Sequence, residues 1–388
     1  MQLPLKRAVI GTGSWFFLNA VAWASVAVRL PEIKDRLAIT NGQLGTGLFI
    51  GAIGAISALR LAGRWSARFG SAPVMRVSAL AGAATLPSVV WAPSLTMFAI
   101  CFFLFSFTIA SMDMAMNAHA VAIEDGSQRL IMGRMHGLWS VGGIVGGLVG
   151  GAFAALDTPL LLQALMMSVF VAITSLVAGR LLLPASVDRH APTSTTGATH
   201  RYPLLFWLLG LITLCATIGE GAAIDWGALL LRDEWNAAPF VASLPYVVFQ
   251  IAMVIGRFSS DALSNRYGRS RILLSCGLFT VIGLSTGLLI GDVVGIVLGW
   301  FFLGLGSSVV FPMMMSVAGA MAIRDYRDVI APSQAVAMVA GVAYAAFLAG
   351  PPLIGFLGDA ISLRWAMLVP AVLGFGIIAG SRIAKRVD

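Results

Sequence analysis

Acidic side chains inside apolar stretches are the residues of this sequence best suited to chemistry. Asp113 lies in an apolar run that begins near residue 95, and Glu220 and Asp225 interrupt another run between residues 203 and 231. An acid surrounded by hydrocarbon costs about 2.5 to 3.5 kcal/mol, so it is retained where it faces a polar cavity or a partner. Such acids can exchange protons or bind a polar solute.

Asp113 has a polar neighbour at helical spacing. Asn117 follows it by four residues, so on a helix the two share a face, together with Met116 and Ala120. We expect this face to bind protons or solute. The alternative is that Asp113 pairs with a nearby Arg or His and holds the helices together.

Glu220 is the second candidate for proton or substrate binding. Gly219 and Gly221 flank it and weaken the helix locally. Asp225 is five residues further on, about 500° of helical rotation away, so the two acids point in different directions. Because Asp225 precedes Trp226, it is also typical of a membrane–water interface.

Neutral and titratable polar residues occur in other apolar runs. Asn19, Gln250 and Tyr344 offer hydrogen bonds that would orient a hydroxylated solute, although polar contacts between helices explain them equally well. His119 and His136 flank a predicted loop and could relay protons. The favoured interpretation for both histidines is an interfacial residue that extends to water.

Composition excludes most classes of soluble protein. Of the 388 residues 59% are hydrophobic and 11% are charged, against about 25% charged in a soluble domain. The net charge of +8 is spread over short loops, with no basic stripe typical of nucleic-acid binding. No Ser/His/Asp set, HExxH motif or Cys cluster is present, so we expect neither an enzyme nor a metal or other cofactor.

Apolar runs long enough to cross a bilayer recur twelve times. Between the sixth and seventh runs lies Pro184–Tyr202, whose Pro, Ser, Thr and Gly content is typical of a flexible tether. The sequence therefore predicts two six-helix bundles, at 1–183 and 203–388, joined by a linker at 184–202. The predicted spans are 8–30, 42–62, 74–92, 95–118, 135–155, 160–183, 203–231, 240–262, 271–290, 293–322, 332–356 and 363–382.

The positions of the basic residues predict the orientation. If the amino terminus is cytoplasmic, 20 of the 25 Lys and Arg fall on the cytoplasmic side. This is the asymmetry that the positive-inside rule requires. We therefore expect a multi-pass protein of the bacterial inner membrane with both termini in the cytoplasm.

Two sequence patterns concern the packing of the bundles. A shift of 198 residues aligns Arg68–Gly70 with Arg266–Gly268 without a gap, which is typical of transporters built from repeats. The predicted fifth span carries two interlaced glycine series at four-residue spacing, which predicts close approach to a neighbouring helix. Its glycines are Gly142, Gly143, Gly146, Gly147, Gly150 and Gly151.

The sequence resembles the major facilitator superfamily along essentially its whole length. The segments from Ser25 (SVAVRLPEIKDRLAITNGQLG), Met112 (MDMAMNAHAVAIE), His136 (HGLWSVGG) and Glu220 (EGAAIDWGALLLRD) are similar to a bacterial subgroup of fucose-permease-like and rhizopine-transport-like proteins. The resemblance implies twelve helices around a central cavity, a monomer and alternating access. It implies a small hydroxylated solute, such as a sugar or polyol, and with Asp113 and Glu220 as proton carriers we expect a proton-coupled symporter. The alternatives are proton-driven export of drugs or metabolites and a non-transporting membrane sensor or enzyme.

The family signature in the loop after the eighth span implies a cytoplasmic gate. Asp261, with Arg257, Arg266 and Arg269, matches that signature, whereas the first copy of the repeat has Gly63 where the register places Asp261. The resemblance implies that Asp261 accepts hydrogen bonds at the start of the eleventh span, near Pro332 and Ser333. The alternative is a solvated basic loop that sets only the topology.

Overall fold

The computed structural model describes residues 3–127, 129, 131–188, 202–326, 329–330 and 332–385, with the backbone alone at 3, 4, 261, 332 and 333. Within these ranges the secondary structure is helical and twelve helical segments are long and apolar enough to span a membrane, as predicted. The predicted linker is described only at 184–188 and 202. The chain divides into two compact units, which are described separately.

The first unit holds the amino-terminal helices, except that Thr40–Gly45, around the start of α3, belongs to the second unit. In it α1 packs most extensively on α6 and α4 on α5. Its helices are α1 (Leu3–Ala27), α2 (Leu30–Leu37), α3 (Asn41–Phe69), α4 (Ser71–Trp91), α5 (Leu95–Ser127), α6 (Met132–Ala155) and α7 (Leu160–Ala178), followed by a 3₁₀ turn at Gly179–Leu181.

The second unit holds the carboxy-terminal helices. Three of its described spans are divided. A π-helical segment, Phe279–Leu284, joins α10 to α11, the predicted tenth span is two helices, α12 and α13, and the last span is also two helices, α15 and α16. Its helices are α8 (Leu204–Trp235), α9 (Pro239–Tyr267), α10 (Arg269–Leu278), α11 (Ser285–Ile290), α12 (Val293–Ser307), α13 (Val310–Asp325), α14 (Pro332–Ile361), α15 (Leu363–Ala366) and α16 (Leu368–Ala384).

The glycine series of α6 packs against α1, as predicted. A Cβ added to Gly142 would lie 2.3 Å from the carbonyl oxygen of Phe17, and one added to Gly146 would lie 3.1 Å from the Cα of Val21. Only hydrogen fits where two backbones approach this closely. The interlaced residues Gly143, Gly147 and Gly151 are also buried.

The 198-residue repeat is visible in the turn that follows the second membrane span of each half, α3 in the first half and α9 in the second. Gly70 has φ 86° and ψ 155°, and Gly268 has φ 84° and ψ 151°, a conformation that glycine adopts at low cost. The preceding arginines, Arg68 and Arg266, place their guanidinium groups 5.1 Å and 5.2 Å from the rings of Phe69 and Tyr267. The same local structure therefore forms at both aligned positions.

Candidate functional site

Asp113 and Asn117 lie together on one face of α5, as predicted. The Asn117 side-chain amide donates to the Asp113 main-chain carbonyl at 2.9 Å and to the Asp113 carboxylate at 3.3 Å. Both residues are half-buried, whereas Met116 and Ala120 beside them are fully buried. The helix therefore holds a carboxylate in an apolar span with a neutral partner one turn away.

Asn19 forms contacts between helices of the first unit. Its amide nitrogen donates to the carbonyl of Ile109 on α5, and its amide oxygen accepts from the Trp139 indole on α6, each at 3.0 Å. Asn19 is only 3% exposed. These contacts favour the polar-contact interpretation of Asn19, and they give Trp139 a structural partner.

His119 is not an interfacial residue that extends to water, so the favoured interpretation is wrong for it. The predicted span ended at residue 118, just before His119, but α5 continues to Ser127. The His119 side chain is 1% exposed. Its Nε2 accepts from the Leu183 backbone N–H at 3.1 Å, so Nδ1 carries the proton of the neutral ring and lies 2.6 Å from the Ser71 hydroxyl. His119 joins α4, α5 and the segment after α7.

The segment after α7 has a second anchor. The Asp188 carboxylate accepts from the Ser71 backbone N–H, at 3.1 Å and 3.2 Å, at the first residue of α4. A carboxylate at a helix amino terminus satisfies an unpaired N–H and interacts favourably with the helix dipole. Residues 184–188, predicted to begin the flexible tether, are thus attached to the first unit at both ends.

His136 and two tryptophans of α1, Trp15 and Trp23, occupy different surroundings. His136 is half-buried on α6, and its ring packs edge-on against Phe16 with centroids 5.3 Å apart. Trp15 is fully buried, and Trp23 stacks on Phe105 at 6.0 Å. His136 therefore packs against α1 from inside the first unit.

Glu220 faces a basic residue across two helices of the second unit. Its Oε1 on α8 is 3.8 Å from the Arg257 guanidinium on α9, and the two side chains are 23% and 30% exposed. Sequence spacing did not predict this ion pair, because it depends on the register of two antiparallel helices. Gly227 on α8 and Pro245 on α9 are a second close contact in the same register. A Cβ added to Gly227 would lie 3.1 Å from the Cβ of Pro245.

One face of α9 carries three polar residues. Tyr246, Gln250 and Arg257 are four and seven residues apart, which places them within about 40° of one another around the helix. The Gln250 amide donates to the Tyr246 hydroxyl at 3.3 Å, and both side chains are 1% exposed. Among the described residues, the buried Gln250 amide oxygen has no hydrogen-bond partner.

Asp225 is half-buried on α8, five residues from Glu220. The next residue, Trp226, is fully buried and does not lie at a membrane–water interface. It therefore gives no support to the interfacial interpretation of Asp225. Asp225 and Glu220 are both within electrostatic range of the Tyr246 hydroxyl. The second unit thus places two acids of α8 near the polar face of α9.

Tyr344 belongs to a row of aromatic rings. Its ring centroid is 6.2 Å from that of Phe311 on α13 and 6.1 Å from that of Phe347 on α14. Tyr344 is 37% exposed. A Cβ added to Gly221, the neighbour of Glu220, would lie 3.9 Å from Phe347, so the row borders the acid.

The predicted gate is described only in part. The side chain of Asp261 and those of Pro332 and Ser333 lie outside the described residues, so the contact between them stays a prediction. Arg257, assigned to the gate by resemblance, faces Glu220. Arg269 is the first residue of α10.

Several residues of these sites were missed from the sequence. Tyr246 could have been found from its four-residue spacing to Gln250, and Asp188 from its polar type just after an apolar span. The Glu220–Arg257 and His119–Leu183 contacts join positions 37 and 64 residues apart. No local signal predicts such partners.

Twelve apolar helices in which half-buried acids meet polar partners are typical of a polytopic membrane transporter. The comparison with known families agrees, since the model of the Major Facilitator Superfamily matches residues 14–223 and 209–384. The chain belongs to the Major Facilitator Superfamily. Its members are transporters and not enzymes, so this part of the expectation is confirmed.

Relatives match the chain over nearly its full length. An uncharacterised MFS-type transporter of Yersinia pestis is 32% identical, covering 97% of this chain and 96% of that protein. An uncharacterised transporter of Sinorhizobium fredii is 30% identical, covering 92% and 93%. The membrane protein MosC of Rhizobium meliloti is 27% identical, covering 96% and 88%.

Solved structures share the fold. The nucleoside transporter NupG matches with a TM-score of 0.78 at 12% identity, covering 97% of this chain and 99% of that chain. A bacterial homologue of the human lysosomal transporter Spinster has a TM-score of 0.75 at 13% identity, covering 100% and 98%. The E. coli fucose:proton symporter FucP has a TM-score of 0.63 at 16% identity, covering 97% and 98%.

Proposed function

We propose that this transporter is a proton-coupled symporter that moves a small hydroxylated solute, such as a sugar or polyol, across the bacterial inner membrane by alternating access. The observation that carries the proposal is the pair of acids, Asp113 and Glu220, half-buried in spanning helices of different units beside polar partners. Acids in such places are costly and are characteristic of proton pathways.

Glu220 and Arg257 provide a means of coupling. When Glu220 is ionised, its charge offsets that of Arg257, and when Glu220 takes up a proton the ion pair is lost. Because the attraction between the two charges holds α8 and α9 together at this point, its loss on protonation favours a different arrangement of the two helices. A proton can in this way shift the population of two conformations.

Neutral groups near this pair would bind the solute. The unpartnered oxygen of Gln250 can accept a hydrogen bond from a hydroxyl group, and the Phe311, Tyr344 and Phe347 rings offer an apolar surface for a sugar ring. FucP and NupG, which share the fold, are named for fucose and nucleosides, compounds with hydroxylated rings. These likenesses support a hydroxylated solute.

The orientation remains part of the proposal. With both termini in the cytoplasm, 20 of the 25 basic residues lie on the cytoplasmic side. Asp261 would then close the cytoplasmic side, as the family motif implies. Cysteine labelling from outside the cell at the loops around residues 93 and 237 checks this topology, and labelling only from the inside would contradict it.

Solute flux in proteoliposomes tests the function. A panel of sugars, polyols and antibiotics is applied under an imposed pH gradient, with an internal pH dye to report proton movement. Uptake into vesicles that are alkaline inside indicates symport, whereas uptake into vesicles that are acidic inside indicates exchange and supports the export alternative.

A variant without both acids, Asp113→Asn with Glu220→Gln, should retain its fold and lose solute-dependent proton movement. Asp35→Asn, which removes an exposed acid of α2, is the matched control and should transport normally. Proton movement that persists at the wild-type rate in the double variant would contradict the proposed coupling.

A further inference from the structure

A groove in the first unit lies away from both candidate sites. It forms where the first turns of α4 meet the end of α7 and the 3₁₀ turn, and it has a volume of about 160 Å³. The residues that line it are Arg76, Leu80, Ser175, Leu176, Gly179 and Arg180.

Two arginines give the groove its charge. The Arg76 guanidinium donates to the Gly179 carbonyl at 2.6 Å, and Arg180, the next residue along the chain, lines the same groove. Both arginines are exposed. Among the described residues, neither forms a salt bridge with a carboxylate. Two neighbouring cations without a carboxylate between them attract an anion.

Two leucines give the groove apolar walls, and exposed valines are the sequence neighbours of its lining residues. Leu80 and Val77 on α4 are 38% and 69% exposed, and Leu176 and Val177 on α7 are 56% and 60% exposed. These side chains belong to membrane-spanning helices, so acyl chains are the apolar surroundings available to them. The groove therefore combines a cationic end with apolar walls.

We propose that this groove binds an anionic phospholipid, with its phosphate between Arg76 and Arg180 and an acyl chain along Leu80 and Leu176. Arginine forms forked, charge-assisted hydrogen bonds with phosphate, and basic pockets between spanning helices are suited to anionic head groups. The apolar walls favour a lipid over a free anion, because a free phosphate would leave them uncovered.

Binding would connect two helices of the first unit. The lipid would contact α4 and α7 next to the point where Asp188 caps α4 and His119 holds Leu183. Because a ligand that binds only the folded state stabilises it, the bound lipid should raise the unfolding temperature. This role does not depend on which solute is transported.

Lipid titration of the purified full-length protein tests the proposal. Dioleoylphosphatidylglycerol and dioleoylphosphatidylcholine are added to separate detergent samples, with unfolding temperature and native mass spectrometry as readouts. Phosphatidylglycerol should raise the unfolding temperature and give a bound adduct, and Arg76→Gln with Arg180→Gln should weaken its binding by about tenfold or more.

Matched controls make the result specific. Arg60→Gln with Arg64→Gln removes two exposed charges from α3 and should bind the lipid as the wild type does. Arg180→Gln alone keeps the Arg76–Gly179 hydrogen bond, so it separates lost binding from a damaged fold, and it should bind several-fold more weakly. Equal binding of both lipids, equal stabilisation by inorganic phosphate alone, or unchanged affinity in both groove variants would overturn the proposal.

Discussion

The two candidate sites hold their acids in different ways. Asp113 has its polar partner on its own helix, since Asn117 is one turn away on α5. Glu220 has its partner on another helix, since Arg257 lies on α9 at 3.8 Å. The first partner is neutral and the second is charged. Protonation therefore changes the electrostatic balance between helices at Glu220 but only the local hydrogen bonding at Asp113.

This difference suggests separate roles for the two acids. Loss of a cross-helix ion pair can alter how α8 and α9 pack, whereas a contact within one helix moves with that helix. Glu220 is thus suited to couple protonation to a conformational change, and Asp113 to carry a proton or to bind solute. The predictions below test this distinction, from the largest expected effect to the smallest.

Replacing Arg257 with Gln should have the largest effect. The variant leaves Glu220 in a poorly hydrated site without the cation that faces it, so we expect proton-driven uptake to fall by about tenfold or more and stability to fall by about 1 kcal/mol. Uptake in proteoliposomes and thermal unfolding in detergent measure the two effects.

The double variant Glu220→Gln with Arg257→Gln provides the control. It removes both charges, so it should regain the lost stability while remaining uncoupled. If the double variant is less stable than Arg257→Gln alone, the two residues do not act as a pair.

Asp113→Asn should affect coupling without affecting the fold. Asparagine keeps the size of the side chain and an oxygen for the Asn117 hydrogen bond, but it cannot be ionised. We expect net proton-driven uptake to fall by about tenfold, while exchange of labelled for unlabelled solute, which needs no net proton transfer, continues. Equal loss of both fluxes would assign Asp113 to solute binding rather than proton transfer.

Gln250→Leu should weaken solute binding several-fold. It removes the buried oxygen that has no partner among the described residues, and one neutral hydrogen bond contributes about 1 kcal/mol, which corresponds to roughly fivefold in affinity. The half-saturating solute concentration should rise while the proton-to-solute ratio stays constant. An unchanged half-saturating concentration would place the solute elsewhere.

Asn117→Ala should have the smallest effect on transport. It removes a neutral partner from a half-buried acid, and we expect a change of about threefold or less in uptake.

Asn19→Ala is a useful contrast, because Asn19 bonds to Ile109 and to Trp139. That variant should lower the unfolding temperature, and a large transport defect at unchanged stability would show that Asn19 binds solute.

The sequence predicted the membrane spans well because the signal is strong and local. An apolar run of about 20 residues is visible within one window, so the twelve spans were predictable. The close approach of the α6 glycines to a neighbouring helix and the repeated segment at Gly70 and Gly268 were predictable too, but that the neighbour is α1 was not. The ends of spans were less predictable. The fourth span was predicted to end at residue 118, so His119 was expected to flank a loop. In the structure α5 continues to Ser127, and His119 lies inside the helix.

The acids themselves were identified from the sequence, since an ionisable residue in an apolar span is unusual wherever it lies. The partner of Asp113 was predictable too, because helical geometry alone places residues four apart on one face. The partners of Glu220 and His119 depend on how helices distant in the sequence align along their axes. That alignment arises from the packing of whole surfaces, such as Gly227 against Pro245, and no short sequence window contains it.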